Sequence, residues 1–284
     1  MFAWFEAAEP YRRHVLALRD LQLAAERHLS RLDSMLGYCV PCGEIQPFRV
    51  DNGPRYGSAI NLREGLVCSR GLSNRNRLLA AACMASMEDP LTTRVALLER
   101  LTPLFTVLRT RFPLLVGSEY LGASVAPGEV KTVHGQEVRH ESLERLSYAS
   151  ESFDLLVHAD VLEHVPSLED ALSECFRVLR PGGKSVFTCP FFAARDDVYR
   201  RAIRHADGSI EHLVEPEYHG DPLNPAGVLA YFHFGWELLE RIRRAGFTGA
   251  AVGLWYDVFC GFVSDNHPDL GYGNMMPVVL KASR

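Results

Sequence analysis

Three histidines stand where a proton could be taken from or given to a substrate. His164 lies in the run VLEHV, and His219 and His233 lie in a long segment, residues 191–235, that also carries acidic and aromatic residues. Histidine is the side chain best suited to proton transfer near neutral pH, and a connection this long is usually functional. We predict that these histidines are catalytic and that residues 191–235 form a lid. The alternatives are capping or core histidines, or a metal site built from His219, Asp221 and His233.

Three cysteines have part of the spacing of a zinc site. Cys39 and Cys42 are separated by two residues, and Cys68 follows later in the chain. A closed structural zinc site needs four ligands, but Gly71 occupies the expected fourth position, three residues after Cys68. We therefore predict no metal ligand and a knuckle that keeps its shape by packing. Bound zinc is the alternative.

The composition is that of an ordinary globular protein, with 47% hydrophobic residues and a net charge of -5 over 284 residues. An acidic chain is not built to coat nucleic acid. The basic run 70–77 is therefore interpreted as a solvated helix start, or as a group that recognises a carboxylate or phosphate. No apolar run reaches the roughly 20 residues that span a bilayer, and the first residues do not read as an export signal. We expect a cytoplasmic protein with neither a membrane nor a nucleic-acid partner, and with its cysteines as thiols.

Hydrophobic periodicity predicts an α/β protein preceded by an accessory module. Apolar strands are predicted over 94–99, 114–120, 138–142, 153–158 and 184–190, with helices over 101–112, from Ser167 to about 179, and over 236–245. Such alternation produces a mostly parallel sheet with helices on both faces. Residues 12–37 predict one amphipathic helix that ends at Gly37. We divide the chain into a helix-and-knuckle module, 1–90, and an α/β domain, 91–284. Phe2, Trp4 and Phe5 offer a contact through which two copies could form a homodimer.

The stretch SFDLLVHADVLEHVPSLEDALSECFRVLRPGGKSVFTCPF, residues 152–191, resembles the region from the fourth to the fifth strand of class I S-adenosylmethionine-dependent methyltransferases. The matched features are FD before apolar residues, then VLEHV, then a helix ending in RVLRPGG. The wider resemblance runs from Val95 to the C-terminus and includes EYHGDP and FGW. It implies a Rossmann-like fold with a seven-stranded sheet, S-adenosyl-L-methionine as cofactor, and methyl transfer to a small-molecule acceptor, as in bacterial small-molecule biosynthesis.

The resemblance also implies a cofactor site at the ends of four strands. Glu119 stands where the family carries an acidic residue for the ribose hydroxyls, and the N–H of Leu143 stands where adenine is met. The implied set is Glu99 and Thr102 after the first strand, Glu119 and Tyr120 after the second, Glu141, Ser142 and Leu143 after the third, and His158 and Ala159 after the fourth.

One segment departs from the family pattern. The turn after the first strand, LERLTPL over residues 98–104, contains no glycine, whereas the family has a glycine-rich turn whose backbone approaches the methionine part of the cofactor. This departure leaves two alternatives to methyl transfer. In one, another carbon of the sulfonium is attacked, by aminocarboxypropyl transfer or cyclisation, which releases methylthioadenosine. In the other, the chain is a degenerate binding domain that catalyses nothing.

Overall fold

Five α-helices and nineteen strands make up the part of the chain that the computed structural model describes, residues 1–221, 223–267 and 275–284. The helices are α1 (Ala8–Leu29), α2 (Asn74–Ser86), α3 (Pro103–Arg111), α4 (Leu168–Val178) and α5 (Glu237–Arg244), with a 3-10 turn at Leu162–His164. The strands are β1 (Ala3–Phe5), β2 (Ser34–Cys39), β3 (Glu44–Arg49), β4 (Arg55–Tyr56), β5 (Ala59–Ile60), β6 (Arg94–Leu97), β7 (Leu114–Glu119), β8 (Val130–Val133), β9 (Gln136–His140), β10 (Phe153–Ala159), β11 (Leu179–Thr188), β12 (Val198–Arg200), β13 (Ala202–Arg204), β14 (Ile210–His212), β15 (Tyr218–Asp221), β16 (Asn224–Leu229), β17 (Phe232–Phe234), β18 (Gly249–Leu254) and β19 (Val278–Ser283). Within these ranges, no helix has both the length and the apolar character needed to cross a membrane.

A nine-stranded sheet forms the centre of the molecule, in the order β1-β18-β19-β11-β10-β6-β7-β9-β8. The strands β11, β10, β6, β7 and β9 run parallel to one another, and β19 runs antiparallel to both of its neighbours. The predicted, mostly parallel α/β sheet is confirmed. It has nine strands rather than seven because β1 and β8 each add a short antiparallel strand at an edge.

Apolar clusters cover both faces of the sheet, which explains the uninterrupted apolar sequence of β10. All seven residues of β10 are buried, as expected for a strand covered on both sides. Successive side chains point to opposite faces. Accordingly, Leu156 packs in the cluster formed with α4 and α5, whereas Leu155 and Val157 pack in the cluster formed with α2 and α3.

The order of the strands creates a crevice between the carboxyl ends of β6 and β10. From β6 the chain moves outward through β7 and β9, and then returns to place β10 on the other side of β6. Such a switch point is where open α/β sheets bind ligands. Glu99 follows β6 and Asp160 follows β10, so the sheet places these two carboxylates at the crevice.

The long N-terminal helix was predicted to end at Gly37, and this end is wrong. Helix α1 stops at Leu29, and residues 34–39 form β2, which pairs with β3 in a hairpin. Beyond residue 29 the helical spacing of the leucines is coincidental: Leu32 lies between α1 and β2, and Leu36 is 65% exposed on β2. Gly37 lies against Phe48 and the carbonyl of Phe259, where a Cβ would come within 2.4 Å of that oxygen.

The first 90 residues pack on the sheet at two places. Strand β1 pairs with β18, and α2 packs against β10 and β11. The aromatic residues expected to serve a homodimer pack within their own chain instead: Phe2 lies 5.4 Å from Trp4 and 5.3 Å from Trp255, and Phe5 lies 5.4 Å from Tyr11. They form part of the fold because β1 is an edge strand and not an exposed helix.

The turn after β6 comes close to β7, and this approach requires a glycine. A Cβ at Gly117 would lie 2.6 Å from the Phe105 ring and 2.8 Å from the Glu99 carbonyl oxygen. We expect Gly117→Ala to lower the free energy of unfolding by about 1–3 kcal/mol, as overpacking does. The matched control is Gly249→Ala, whose Cβ would meet Ser283 at an ordinary 3.7 Å. Urea unfolding of the two variants measures the difference, and equal stabilities would contradict the close approach.

Candidate active site

A carboxylate shapes the turn after β6 in place of a glycine. The backbone N–H groups of Arg100 and Leu101 donate to Glu119 Oε1 at 2.7 and 2.8 Å. Thr102 caps α3 by accepting from Phe105 N, and its hydroxyl donates to Glu99 Oε2 at 2.7 Å. None of residues 98–102 has a positive φ. Any residue can adopt the backbone conformation of this turn, so the turn forms without glycine.

Glu119 has one oxygen left for a ligand. Its Oε1 is used by the turn, and no residue in the described ranges donates a hydrogen bond to its Oε2. Burial raises the pKa of Glu119, while the two backbone donors act to lower it. Tyr120 beside it is half exposed, with its ring 5.3 Å from that of His140. The end of β7 thus presents a hydrogen-bond acceptor and an aromatic face to the crevice.

In the segment after β9, some polar groups hold the loop in place and others have no partner among the described residues. Glu141 is buried; its Oε1 accepts from Arg139 Nε at 2.7 Å and its Oε2 from the backbone N–H of Ser147 at 2.7 Å. Its carboxylate therefore holds the loop in place instead of facing a ligand. Ser142 forms a β-bridge with Arg145. The N–H of Leu143 donates to no acceptor within the described residues, which leaves it available to a ring nitrogen.

The residues predicted after the fourth strand still belong to it. His158 and Ala159 are the last residues of β10, and both are buried. The His158 ring stacks on Phe187 at 4.5 Å, and burial lowers the pKa of His158 to about 3. His158 is therefore a neutral core residue. The residue that reaches the crevice is Asp160, the first residue after the strand, which has a φ of 50°.

Two arginines from the first 90 residues meet Asp160 across the crevice. Arg63 donates to both oxygens of Asp160 at 2.8 Å, and Arg75 Nε lies 2.9 Å from Glu64 and 3.5 Å from Asp160. Burial would raise the pKa of Asp160, but the two guanidinium groups hold it well below its usual range. The interpretation of the basic run as a solvated helix start is wrong for Arg75, because its charge is paired inside the crevice.

Glu99 lies near this network. Burial raises its pKa to about 7, although the Thr102 hydroxyl and the charge of Arg75 both oppose the rise. Nothing in the sequence connected Arg63, Glu64 and Arg75 with Glu99, since they lie in a segment without periodicity. Arg63 and Asp160 pair although they are 97 positions apart, and such a contact leaves no pattern in the local sequence.

The three predicted histidines lie in one cluster with two glutamates. His219 Nε2 lies 3.0 Å from Glu217 Oε1, and His233 Nε2 lies 3.0 Å from Glu217 Oε2. The rings of His164 and His219 are 4.8 Å apart in an edge-to-face arrangement. His164 Nε2 and His219 Nδ1 each lie 3.6 Å from Glu163 Oε1. Residues 191–235 therefore bring His219 and His233 to the 3-10 turn that follows β10.

The protonation states in this cluster follow from its geometry. A carbonyl oxygen can only accept a hydrogen bond, so His164 Nδ1, 2.9 Å from the Leu229 carbonyl, carries a proton. In the neutral ring Nε2 is then an acceptor. His219 stands between two carboxylates; burial lowers its pKa, but the contacts with Glu163 and Glu217 outweigh burial and raise the pKa to about 9. His219 is therefore a cation at neutral pH.

Glu163 is the buried centre of the cluster and was not singled out in the sequence. It is fully buried, and neither of its oxygens has a hydrogen-bond partner among the described residues. A buried carboxylate of this kind is costly unless it is compensated by charge, and the His219 cation supplies that charge. The run VLEHV could have pointed to Glu163, because Glu163 is the acidic residue directly before the predicted catalytic His164.

Two groups of side chains could hold a metal ion. The first is Glu163, His164 and His219, and the second is Cys39, Cys42 and Cys68; in each group the ligand atoms lie within 4.8 Å of one another. The alternative metal site that included Asp221 and His233 does not form, because Asp221 accepts from the backbone of Leu223 and His233 is held by Glu217.

Comparison with known proteins gives a matching family model, "Methyltransferase domain", over residues 108–187. The chain is 36% identical over 77 residues to a probable S-adenosylmethionine-dependent methyltransferase of Mycolicibacterium smegmatis, covering 27% of this chain and 29% of that protein. It is 30% identical over 151 residues to a ubiquinone biosynthesis O-methyltransferase of Ruegeria pomeroyi, covering 47% and 56%. In both cases the chain spans less than two thirds of the relative's length.

Among solved structures, an S-adenosylmethionine-dependent methyltransferase from Mesorhizobium loti is 18% identical, with 73% of this chain and 98% of that chain covered and a TM-score of 0.45. The family match begins at residue 108, beyond the turn that lacks glycine. It includes β7, β8, β9, β10, α4 and nearly all of β11, but not β6, which borders the crevice opposite β10. Residues 108–187 thus match a methyltransferase domain, and most of the stretch that resembles the class I S-adenosylmethionine-dependent methyltransferases, residues 152–191, lies within that range.

Proposed function

We propose that this protein transfers the methyl group of S-adenosylmethionine to an acidic hydroxyl group of a small molecule. The relatives named as O-methyltransferases favour oxygen as the acceptor atom. The observation that carries the proposal is His164, whose Nδ1 donates to the Leu229 carbonyl and whose Nε2, 3.6 Å from Glu163 Oε1, is the nitrogen that can accept a proton. When bound, the cofactor supplies a methyl group that is already activated by its sulfonium.

The residues around the crevice fit both ends of that cofactor. Glu119 Oε2 is available to the ribose hydroxyls, and the N–H of Leu143 is available to adenine. The amino-acid end carries a carboxylate and an ammonium group, and the crevice offers a guanidinium at Arg63 and a carboxylate at Asp160. Arg63 and Asp160 pair with each other in this structure, and we infer that each exchanges part of that pairing for the opposite charge on the ligand.

The histidines of the cluster have separate roles. An acceptor hydroxyl loses its proton as the new bond forms, and His164 Nε2 takes that proton, a contribution typical of general bases. His219 is already protonated and cannot be the base; its cation holds Glu163 and Glu217 in place. Glu217 in turn holds His233. We infer that His219 and His233 position the lid and the acceptor.

The lid is attached to the catalytic turn by its backbone. The N–H of Tyr231 donates to the Glu163 carbonyl at 2.7 Å, and the Leu229 carbonyl accepts from His164. Residues 191–235 contain three two-stranded pairs, β12 with β17, β13 with β14 and β15 with β16. A lid built from paired strands can hold an acceptor in one orientation and keep water from it, which is how enzymes gain much of their rate.

Replacing Glu119 tests the cofactor site. We expect Glu119→Gln to weaken S-adenosylmethionine binding about tenfold to hundredfold, because a hydrogen bond to a charged group contributes about 1.5–3 kcal/mol. Calorimetric titration measures the affinity. The matched control is Glu137→Gln, an exposed glutamate on β9, which should bind as the wild type does. Equal affinity of both variants would contradict the assignment of the ribose to Glu119.

Replacing His164 tests the base. We expect His164→Asn to lower turnover by about 100-fold or more, with cofactor affinity unchanged, since the asparagine amide can still donate to the Leu229 carbonyl. Release of S-adenosylhomocysteine in the presence of a panel of catechols and phenols is the readout. The control is His205→Asn, an exposed histidine of the same lid. Turnover that survives His164→Asn would remove His164 from the reaction.

The same assay separates the alternative reactions. S-adenosylhomocysteine as the product supports methyl transfer, whereas methylthioadenosine would show that another carbon of the sulfonium is attacked. Cofactor binding by the wild type without either product, across the whole panel of acceptors, would favour a binding domain without catalysis.

The raised pKa of His219 predicts a dependence of stability on pH. A histidine whose pKa is higher in the folded state stabilises the fold fully below its ordinary value near 6.5, and this contribution is lost as the pH rises through about 9. We expect His219→Gln to lower the free energy of unfolding at pH 6.5 by more than it does at pH 9.5. Urea unfolding at the two pH values measures the effect, and a difference independent of pH would show that His219 is not held as a cation.

A further inference from the structure

The three thiols of Cys39, Cys42 and Cys68 are brought together by two separate parts of the first 90 residues. Cys39 ends β2, Cys42 lies in the turn of the same hairpin, and Cys68 lies 26 residues further along. Their Sγ atoms lie within 4.8 Å of one another. Cys39 and Cys68 are buried and Cys42 is partly exposed, so an ion can reach the thiols from one side.

The backbone around these cysteines is arranged as in metal knuckles. The N–H of Gly43 donates to the Cys39 carbonyl at 2.8 Å, and the N–H of Gly71 donates to the Cys68 carbonyl at 2.9 Å. Each of these tight turns contains a glycine with positive φ, 77° at Gly43 and 82° at Gly71. Both loops thus fold back on a cysteine and direct its side chain to a common point.

A buried cation without a carboxylate partner lies beside the thiols. Arg77 has no exposed surface, and its guanidinium lies 4.0 Å above the Phe48 ring and donates to the carbonyls of Cys260 and Gly261. Its Nε has no hydrogen-bond partner, and no carboxylate within the described ranges forms an ion pair with it. Burial lowers the pKa of Arg77 to about 10. Such a charge needs a compensating anion close by.

We propose that Cys39, Cys42 and Cys68 bind one zinc ion as thiolates. Three thiolates and Zn²⁺ together carry a charge of about -1, which the guanidinium of Arg77 neutralises. Copper(I) in the same site would leave about -2, so the charge balance favours zinc among the soft metals that thiolates select.

The fourth coordination position is open to solvent or to a small ligand. A Cβ at Gly71 would point at the Pro103 ring, 3.1 Å away, so residue 71 faces away from the thiols and a cysteine there would not complete the site. Gln46 Oε1 accepts from the backbone N–H of Ser69 at 2.7 Å and is therefore already used. Zinc with three protein ligands commonly takes a water as its fourth.

The site would connect the β2–β3 hairpin to the segment that enters α2. Cys68 lies between Arg63 and Arg75, the two arginines that meet Asp160 at the crevice. The metal would thus hold the N-terminal segment against the sheet. This inference does not rest on the proposed methyl transfer.

Metal content of the full-length protein tests the proposal. The chain is purified with a phosphine reductant and no chelator, and zinc is measured by mass spectrometry. We expect one zinc per chain in the wild type and in Cys83→Ala, a buried cysteine on α2 outside the trio, and a loss of at least tenfold in Cys42→Ser, which replaces the most exposed ligand. Zinc retained in Cys42→Ser, or absent from the wild type, would overturn the proposal.

A second test needs no variant and therefore does not depend on the folding of Cys42→Ser: the wild-type apoprotein is titrated with cobalt(II). We expect a thiolate-to-cobalt charge-transfer band and the visible bands of tetrahedral cobalt, both displaced by zinc. Cobalt bound without the charge-transfer band would place the metal on the cluster of Glu163, His164 and His219 and overturn the assignment. A disulfide between any two of the three cysteines under reducing conditions, or selective retention of copper(I), would do the same.

Discussion

The ion network between Asp160 and the two arginines is the interaction on which the architecture of the crevice depends. Asp160 adopts a left-handed backbone at the end of β10 and points its carboxylate between Arg63 and Arg75. Buried charges are tolerated only when they are paired and hydrogen-bonded. The pairing therefore requires the first 90 residues to lie over the carboxyl edge of the sheet, and this position of α2 in turn covers one face of β10 and β11.

The mixed charge of the network suits a ligand that carries both signs. A crevice lined only by carboxylates would attract the sulfonium and repel the carboxylate of the same ligand, and one lined only by arginines would do the reverse. Glu99, whose pKa is raised to about 7 by burial, adds a carboxyl whose charge is sensitive to what binds beside it. Under the proposed function, this network would supply the polar contacts for the amino-acid end of the cofactor in place of a glycine-rich turn.

The sequence was most informative where function and local structure coincide. Residues 152–191 combine a strand buried on both faces, a capped helix and a second buried strand, and each has a strong local period; the helix predicted from Ser167 begins there, with the Ser167 hydroxyl accepting from Asp170 N. Glu119 was also located correctly at the end of its strand. The helix predicted to Gly37 ends at Leu29 because the leucine spacing continues only by coincidence: Leu32 precedes the hairpin and Leu36 is exposed on β2. The network of Arg63 and Asp160 was not predicted, since contacts between distant residues leave no periodic signal.

The departure in the turn after β6 shows why a missing motif is weaker grounds for inference than a motif that is present. A glycine is needed in a turn only when the backbone enters the left-handed region or another group approaches the Cα. In this chain the turn avoids the left-handed region, its N–H groups are satisfied by Glu119, and the close approach is moved to Gly117 on the neighbouring strand. The close approach still requires a glycine, but that glycine is Gly117 on β7 and not a residue of the turn. Because Glu119 serves the turn with one oxygen and leaves the other without a donor in the described residues, the residue that replaces the glycines is also the one that we propose for the cofactor ribose.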